Sequence, residues 1–198
     1  MKNKLRNIFI EADQNYKIIK ETYKILEKSY EMKLPIHSAG QWILDNMYIL
    51  EQEHNEICEA KKSLRHVRLP VIKTSEGSKY ISIYYLAYEL VEQNTGYIDQ
   101  NIIKNCLNSH QKTSYLTSEE LNLFILMIKI GLLKFIARVA TNICHAQMQK
   151  IIVENLLKEE NSDLLRISEN VEKEFLVFRN FKTYILLSIL IILFQKLV

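Results

Sequence analysis

Residues 121–140 read LNLFILMIKIGLLKFIARVA, a nearly continuous apolar run that contains three cations, Lys129, Lys134 and Arg138. A cation near the centre of a membrane-spanning helix costs about 2.5–3.5 kcal/mol on insertion scales. The segment therefore predicts a core helix of a folded domain. The helical pattern around it runs from a capping box at Thr117 and Glu120 to about residue 158 without proline, and we expect a bend or break near residues 141–145.

Apolar residues that recur at intervals of three and four extend this helical pattern in both directions. They predict helices at residues 13–33, 38–62, 79–93 and 99–111, with N-caps at Ser38 and Asp99, and a last pair at 163–174 and 178–197. Residues 64–78 lack periodicity and predict a surface connection with a weak strand at 67–72. We predict an all-α fold, a bundle of about six to eight helices with one long central helix, in a single domain over residues 1–198.

Composition supports this class. The chain has only 4 Gly and 2 Pro in 198 residues, which argues against a turn-rich β-sandwich or barrel and leaves no glycine-rich phosphate loop. Three cysteines without a CxxC pair favour a reducing compartment. A net charge of +3 argues against a nucleic-acid partner.

The C-terminal segment is a candidate for membrane contact. Residues 184–194, YILLSILIILF, carry no charge, but a membrane span needs about 20 residues. We expect residues 163–198 to form a helical hairpin that is either part of the core or in contact with a membrane.

Two candidate surfaces stand out. The first is a basic cluster across the end of the second helix and the connection after it. It either complements the helix dipole or contacts a phospholipid headgroup, a nucleotide sugar or a partner domain. It comprises Lys61, Lys62, Arg65, Arg68 and Lys73. The second is a tyrosine ladder at helical spacing with a neighbouring acid, which either packs between helices or stacks on a sugar. It comprises Tyr80, Tyr84, Tyr88 and Glu89.

No catalytic, cofactor-binding or metal-binding residue is predicted. His54 and Cys58 share a helix face at i, i+4, but a structural zinc site needs four ligands and no second pair has suitable spacing. The acids at positions 51, 53, 56 and 59 have the pattern of a solvated face. Trp42, the only tryptophan, is expected to be buried.

An ordered series of short stretches resembles the N-terminal region of cyclic β-1,2-glucan synthases. It begins at Trp42-Ile43-Leu44-Asp45-Asn46 and covers residues 38–140. It continues through Leu69-Pro70, Ile83-Tyr84, Leu86-Ala87-Tyr88-Glu89-Leu90-Val91, Thr95-Gly96-Tyr97-Ile98-Asp99, Leu116-Thr117 and Met127-Ile128-Lys129-Ile130. The copy is divergent, since Ile81-Ser82 stands where the family has Pro-Arg and Asn122 where it has Trp.

The resemblance implies part of a membrane-bound, UDP-glucose-dependent glycosyltransferase rather than a complete enzyme. It implies a non-catalytic accessory or N-terminal module without a cofactor, whose partners are the catalytic transferase domains or a membrane surface. The expected location is the cytoplasmic, inner face of the cell membrane. The alternative is a stand-alone carbohydrate-binding or helical protein-interaction domain.

Overall fold

Five α-helices and one β-hairpin make up the part of the chain that the computed structural model describes, residues 2–73 and 77–158. In chain order the elements are α1 (Lys2–Glu31), α2 (Ser38–Ser63), a 3-10 turn (Leu64–His66), β1 (Val71–Lys73), β2 (Lys79–Ile81), α3 (Ser82–Gln93), α4 (Gln100–Gln111) and α5 (Ser118–Lys158). The predicted helical class is confirmed. The described residues hold five helices rather than six to eight, and the pair predicted at 163–174 and 178–197 lies outside them.

The long central helix is α5, and it is continuous where a break was expected. The Thr141 hydroxyl donates a hydrogen bond of 2.9 Å to the carbonyl of Ala137, one turn back, within the uninterrupted helix. Beyond that point the helix still packs, since Ile143 and Gln147 are buried and the Gln147 amide donates to the carbonyl of Pro35. Of the predicted bend or break near residues 141–145, the break is therefore wrong.

The core lies where α5 meets α1, α2 and α3. Each helix contributes apolar side chains that are almost fully buried, and each such side chain stabilises the fold by about 1.5–3 kcal/mol. They include Ile19 and Leu26 of α1, Ile43, Leu50 and Ile57 of α2, Ile83 of α3, and Phe124, Met127, Ile128, Ile130 and Leu133 of α5. By contrast, no side chain of α4 is fully buried.

The first helix is longer than predicted. It begins at Lys2 rather than Asp13, because Leu5, Ile8, Phe9 and Ala12 continue the buried stripe toward the N-terminus. This extra length brings the start of α1 beside the hairpin, where the Lys4 ammonium donates a hydrogen bond to the carbonyl of Lys79.

A β-hairpin replaces part of the predicted surface connection. β1 and β2 pair antiparallel, with Val71 opposite Ile81 and Lys73 opposite Lys79. Ile81 is buried and fixes the hairpin to the core, so the third helix begins at Ser82 instead of residue 79. The predicted strand at 67–72 is therefore displaced to Val71–Lys73.

Most helix ends follow the predicted caps. The Asp99 carboxylate accepts from the Ile102 amide at 2.7 Å, and Thr117 and Glu120 form the reciprocal capping box. Gly96, at φ 82°, closes α3 by donating to the Val91 carbonyl. The exception is α2, where His37 instead of Ser38 is the N-cap and its Nδ1 accepts from the Ala39 amide at 3.2 Å.

The three cations within residues 121–140 of α5 each pair with a carboxylate from another helix. Lys129 lies 2.7 Å from Glu53 and 2.8 Å from Glu56 of α2. The other two pairs are Lys134 with Glu11 of α1, at 2.6 Å, and Arg138 with Glu92 of α3, at 3.0 Å. Glu53 is only 4% exposed, so the predicted solvated face is wrong at this position, because the acid turns inward to meet Lys129.

We expect Lys129→Ala to destabilise the fold by about 3–5 kcal/mol, because it leaves the buried Glu53 carboxylate without its partner. Urea unfolding measures the loss. The double variant Glu53→Leu/Lys129→Met should be more stable than Lys129→Ala, since it removes both charges. Lys17→Ala, which breaks an exposed pair with Glu21, should cost at most about 1 kcal/mol. Equal effects of Lys129→Ala and Lys17→Ala would contradict the prediction.

Trp42 is 6% exposed and belongs to the core, as predicted. Trp42→Ala should therefore cost about 3–5 kcal/mol, while Tyr115→Ala, at a side chain 94% exposed, should change stability little. Because there is a single tryptophan, its emission should be blue-shifted and resist acrylamide quenching in the native protein. Emission at the wavelength of free indole in water, with ready quenching, would disprove burial.

Candidate functional site

The predicted basic cluster divides into two parts. Lys61 and Lys62, near the end of α2, form ion pairs with Asp13 at 2.8 Å and with Glu59 at 2.6 Å. Arg68 and Lys73 are exposed on the segment that follows, and the side chain of Arg65 lies outside the described residues. The four of these residues whose side chains are described therefore do not form one uniform cationic surface.

Two lysines outside the predicted cluster, Lys79 of β2 and Lys4 of α1, join Lys73 at the hairpin. Lys73 and Lys79 are direct cross-strand neighbours, and Lys4 of α1 reaches the same edge. Like charges opposite each other destabilise a sheet. Among residues 2–73 and 77–158, no ion pair includes any of these three lysines. We call Lys4, Lys73 and Lys79 the hairpin lysines.

Two apolar side chains accompany the hairpin lysines. Ile72 and Tyr80 are paired across the strands and are 37% and 40% exposed. Side chains alternate between the faces of a strand, so this pair lies on the face opposite Lys73 and Lys79. A shallow depression lined by Lys4, Val71, Ile72, Lys73 and Lys79 runs along the hairpin. Sequence patterns did not reveal this surface, because strands of three residues are too short to show an alternation of polar and apolar side chains.

The predicted tyrosine ladder is not one helical surface. Tyr80 lies on β2 and contacts Tyr85, with ring centroids 5.5 Å apart. Tyr84 is buried, and burial raises the pKa of its hydroxyl strongly. Tyr88 is half-buried, and the Lys134 ammonium lies 4.5 Å from the centre of its ring. The next residue, Glu89, is also half-buried. The packing alternative is favoured for Tyr84, whose ring has no free face for a sugar.

A compact polar cluster joins α1 to α2. His54 Nε2 lies 3.1 Å from Asp13 Oδ1 and 3.6 Å from Cys58 Sγ, and Cys58 Sγ lies 3.7 Å from Asp13 Oδ1. Tyr16 stacks on the His54 ring, with centroids 4.0 Å apart and an angle of 9°. The side chains of Asp13, His54 and Cys58 are all half-buried. The i, i+4 spacing predicted the proximity of His54 and Cys58, whereas Asp13 was missed.

The electrostatics of the cluster favour a protonated thiol and an ionised carboxylate. Burial, followed by the nearby Asp13 charge, raises the pKa of the Cys58 thiol. Burial also tends to raise the pKa of Asp13, but contacts from Lys61 and His54 outweigh it and lower that pKa. Because one ring nitrogen, Nε2, is nearest to both Asp13 and Cys58, the arrangement does not fit a catalytic triad, in which the two imidazole nitrogens contact different groups.

Comparison of the sequence with protein-family models gives no match, and neither does comparison with curated proteins. The resemblance to cyclic β-1,2-glucan synthases therefore stays a prediction. None of the helices within residues 2–73 and 77–158 has the length and apolar character needed to cross a membrane. The segment at 184–194 lies outside that range.

Proposed function

We propose that the chain is a non-catalytic helical module that positions or regulates a glucan-synthesising glycosyltransferase at the inner face of the cell membrane. The partner class comes from the resemblance of residues 38–140. The observation that supports membrane contact is the hairpin, where three lysines without an ion pair among the described residues lie near two exposed apolar side chains, Ile72 and Tyr80, that occupy the opposite face of the strands. This surface uses Lys73 of the predicted basic cluster and does not use Lys61 or Lys62.

The chemistry of the hairpin edge suits an anionic lipid surface. A lysine near such a surface contributes about 1 kcal/mol of binding, so three contribute about 3 kcal/mol. Tyrosine is enriched at the level of lipid headgroups, because its ring is apolar and its hydroxyl is polar, and Tyr80 offers such a ring beside Ile72. Contact of this strength is reversible and would place the module beside a membrane-bound partner without insertion.

A stand-alone carbohydrate-binding domain is the second candidate and has less support. Its proposed surface needs several tyrosine rings with an open face, and Tyr84 is 6% exposed. Tyr80 and Tyr88 do not share a helix, and Lys134 already covers the Tyr88 ring. A protein-interaction domain without a membrane role does not explain why no acid within the described residues neutralises the hairpin lysines.

We expect the purified chain to co-sediment with vesicles of phosphatidylcholine and phosphatidylserine, and much less with phosphatidylcholine alone. Added salt should weaken binding, because screening reduces attraction between exposed charges. The variant Lys73→Gln/Lys79→Gln should lose most of the binding while its melting temperature stays the same or rises, since a like-charge pair is removed.

The matched control is Lys20→Gln/Lys24→Gln, which removes two exposed lysines from α1 away from the hairpin. This control should bind the mixed vesicles nearly as well as the unchanged chain. Equal losses in both double variants would mean that net charge alone drives binding. That result, or no binding to anionic vesicles at all, would refute the hairpin as a membrane surface.

The chain alone should form no polymer from labelled UDP-glucose, since the sequence contains no Asp-x-Asp motif for a metal-bound nucleotide sugar. Membranes that carry a β-1,2-glucan synthase deleted for its own N-terminal region should make more labelled polymer when the chain is added. Heat-denatured chain is the control. Polymer formed by the chain alone, or no stimulation of the deleted synthase, would contradict the accessory role.

A further inference from the structure

The geometry points to a divalent transition-metal site formed by Asp13, His54 and Cys58, which joins α1 to α2 and leaves a fourth coordination position open. The site would take an ion of intermediate softness, such as Zn²⁺, which accepts sulfur, nitrogen and oxygen ligands. It goes beyond the proposed function, which rests on the hairpin and needs no metal.

The spacing of the three ligand atoms fits a tetrahedral ion. Zinc bonds of about 2.0–2.3 Å to nitrogen, oxygen and sulfur, at tetrahedral angles, place the ligand atoms about 3.4–3.6 Å apart. The observed separations are 3.1 Å for His54 Nε2 to Asp13 Oδ1, 3.6 Å for His54 Nε2 to Cys58 Sγ, and 3.7 Å for Cys58 Sγ to Asp13 Oδ1. Each differs from its tetrahedral value by about 0.3 Å or less.

Neighbouring groups hold two of these ligands in position. The Lys61 ammonium lies 2.8 Å from Asp13 Oδ2, which orients the carboxylate so that Oδ1 faces His54 and Cys58. Tyr16 stacks flat on the imidazole and fixes the plane of the ring. Contacts to the ligands from neighbouring groups raise metal affinity, because the ligand side chains are already held in position before the metal binds.

The donor set selects the class of ion. A thiolate and an imidazole favour Zn²⁺ or Co²⁺ over Mg²⁺ or Ca²⁺, which prefer oxygen ligands. On binding, the Cys58 S–H bond breaks, the proton leaves to solvent and a sulfur–metal bond forms. Three protein ligands leave one position for water or for a side chain of a partner, and the half-buried site is open to either.

Titration of the reduced full chain with Co²⁺ tests the site, because a cobalt–thiolate bond gives a charge-transfer band in the near ultraviolet. Tetrahedral Co²⁺ also absorbs strongly in the visible region. We expect both signals at one equivalent of Co²⁺, their displacement by Zn²⁺, and a higher melting temperature with Zn²⁺ that EDTA reverses.

Variants identify the ligands. Cys58→Ser should abolish the charge-transfer band, and Asp13→Asn should weaken Co²⁺ binding by at least about tenfold. Cys106→Ser and Cys144→Ser are matched controls, since both residues are also half-buried free cysteines, and they should leave the band and affinity unchanged. Circular dichroism without metal confirms that every variant is folded.

Two results would overturn the site. One is a folded, reduced chain that shows no charge-transfer band with excess Co²⁺, which would mean that the three groups form only hydrogen bonds. The other is a band that survives in Cys58→Ser and disappears in Cys106→Ser or Cys144→Ser. Neither result bears on the hairpin, so the proposed membrane contact stands or falls separately.

Discussion

Burial of α5 depends on carboxylates supplied by three other helices. Its apolar side chains drive it into the core, but a buried cation without a partner costs several kcal/mol. At 100° per residue, Lys134 and Arg138 lie about 140° and 180° around the helix from Lys129. One side of α5 must therefore meet α2, and the other must meet α1 and α3. Apolar contacts alone tolerate rotation of a helix, whereas these charge pairs fix which helix lies on which side.

Local patterns predicted the helices well and the long-range charge pairs poorly. Periodicity and caps such as Asp99 and Thr117 depend on residues three or four apart, so a single sequence shows them directly. Glu53 looked like a solvated acid because it stands with Glu51, Glu56 and Glu59 in a pattern of acids that alternate with polar residues. Its burial depends on Lys129, 76 positions along the chain, and only the packing of α2 on α5 reveals the pair.

The two candidate sites show the same limit. His54 and Cys58 could be placed together because they lie on one helix, but Asp13 comes from another helix and carries no local mark of its role. The hairpin lysines combine β1, β2 and the first turns of α1, so no single segment contains them. The basic cluster was visible as a run in the sequence, but two of its lysines have acidic partners. Lys61 pairs with Asp13 of another helix, and Lys62 pairs with Glu59 three residues earlier on the same helix.

Packing of α1 on α5 also sets the order of events during synthesis. The buried face of α1, with Phe9 and Ile19, meets a helix that begins at Ser118, so more than a hundred residues must be made before that face is covered. At about 5–20 residues per second, the ribosome leaves the face exposed for about 5–20 s. We expect the exposed face to be accessible meanwhile to chaperones that bind apolar segments, and slow translation through α5 to prolong that exposure.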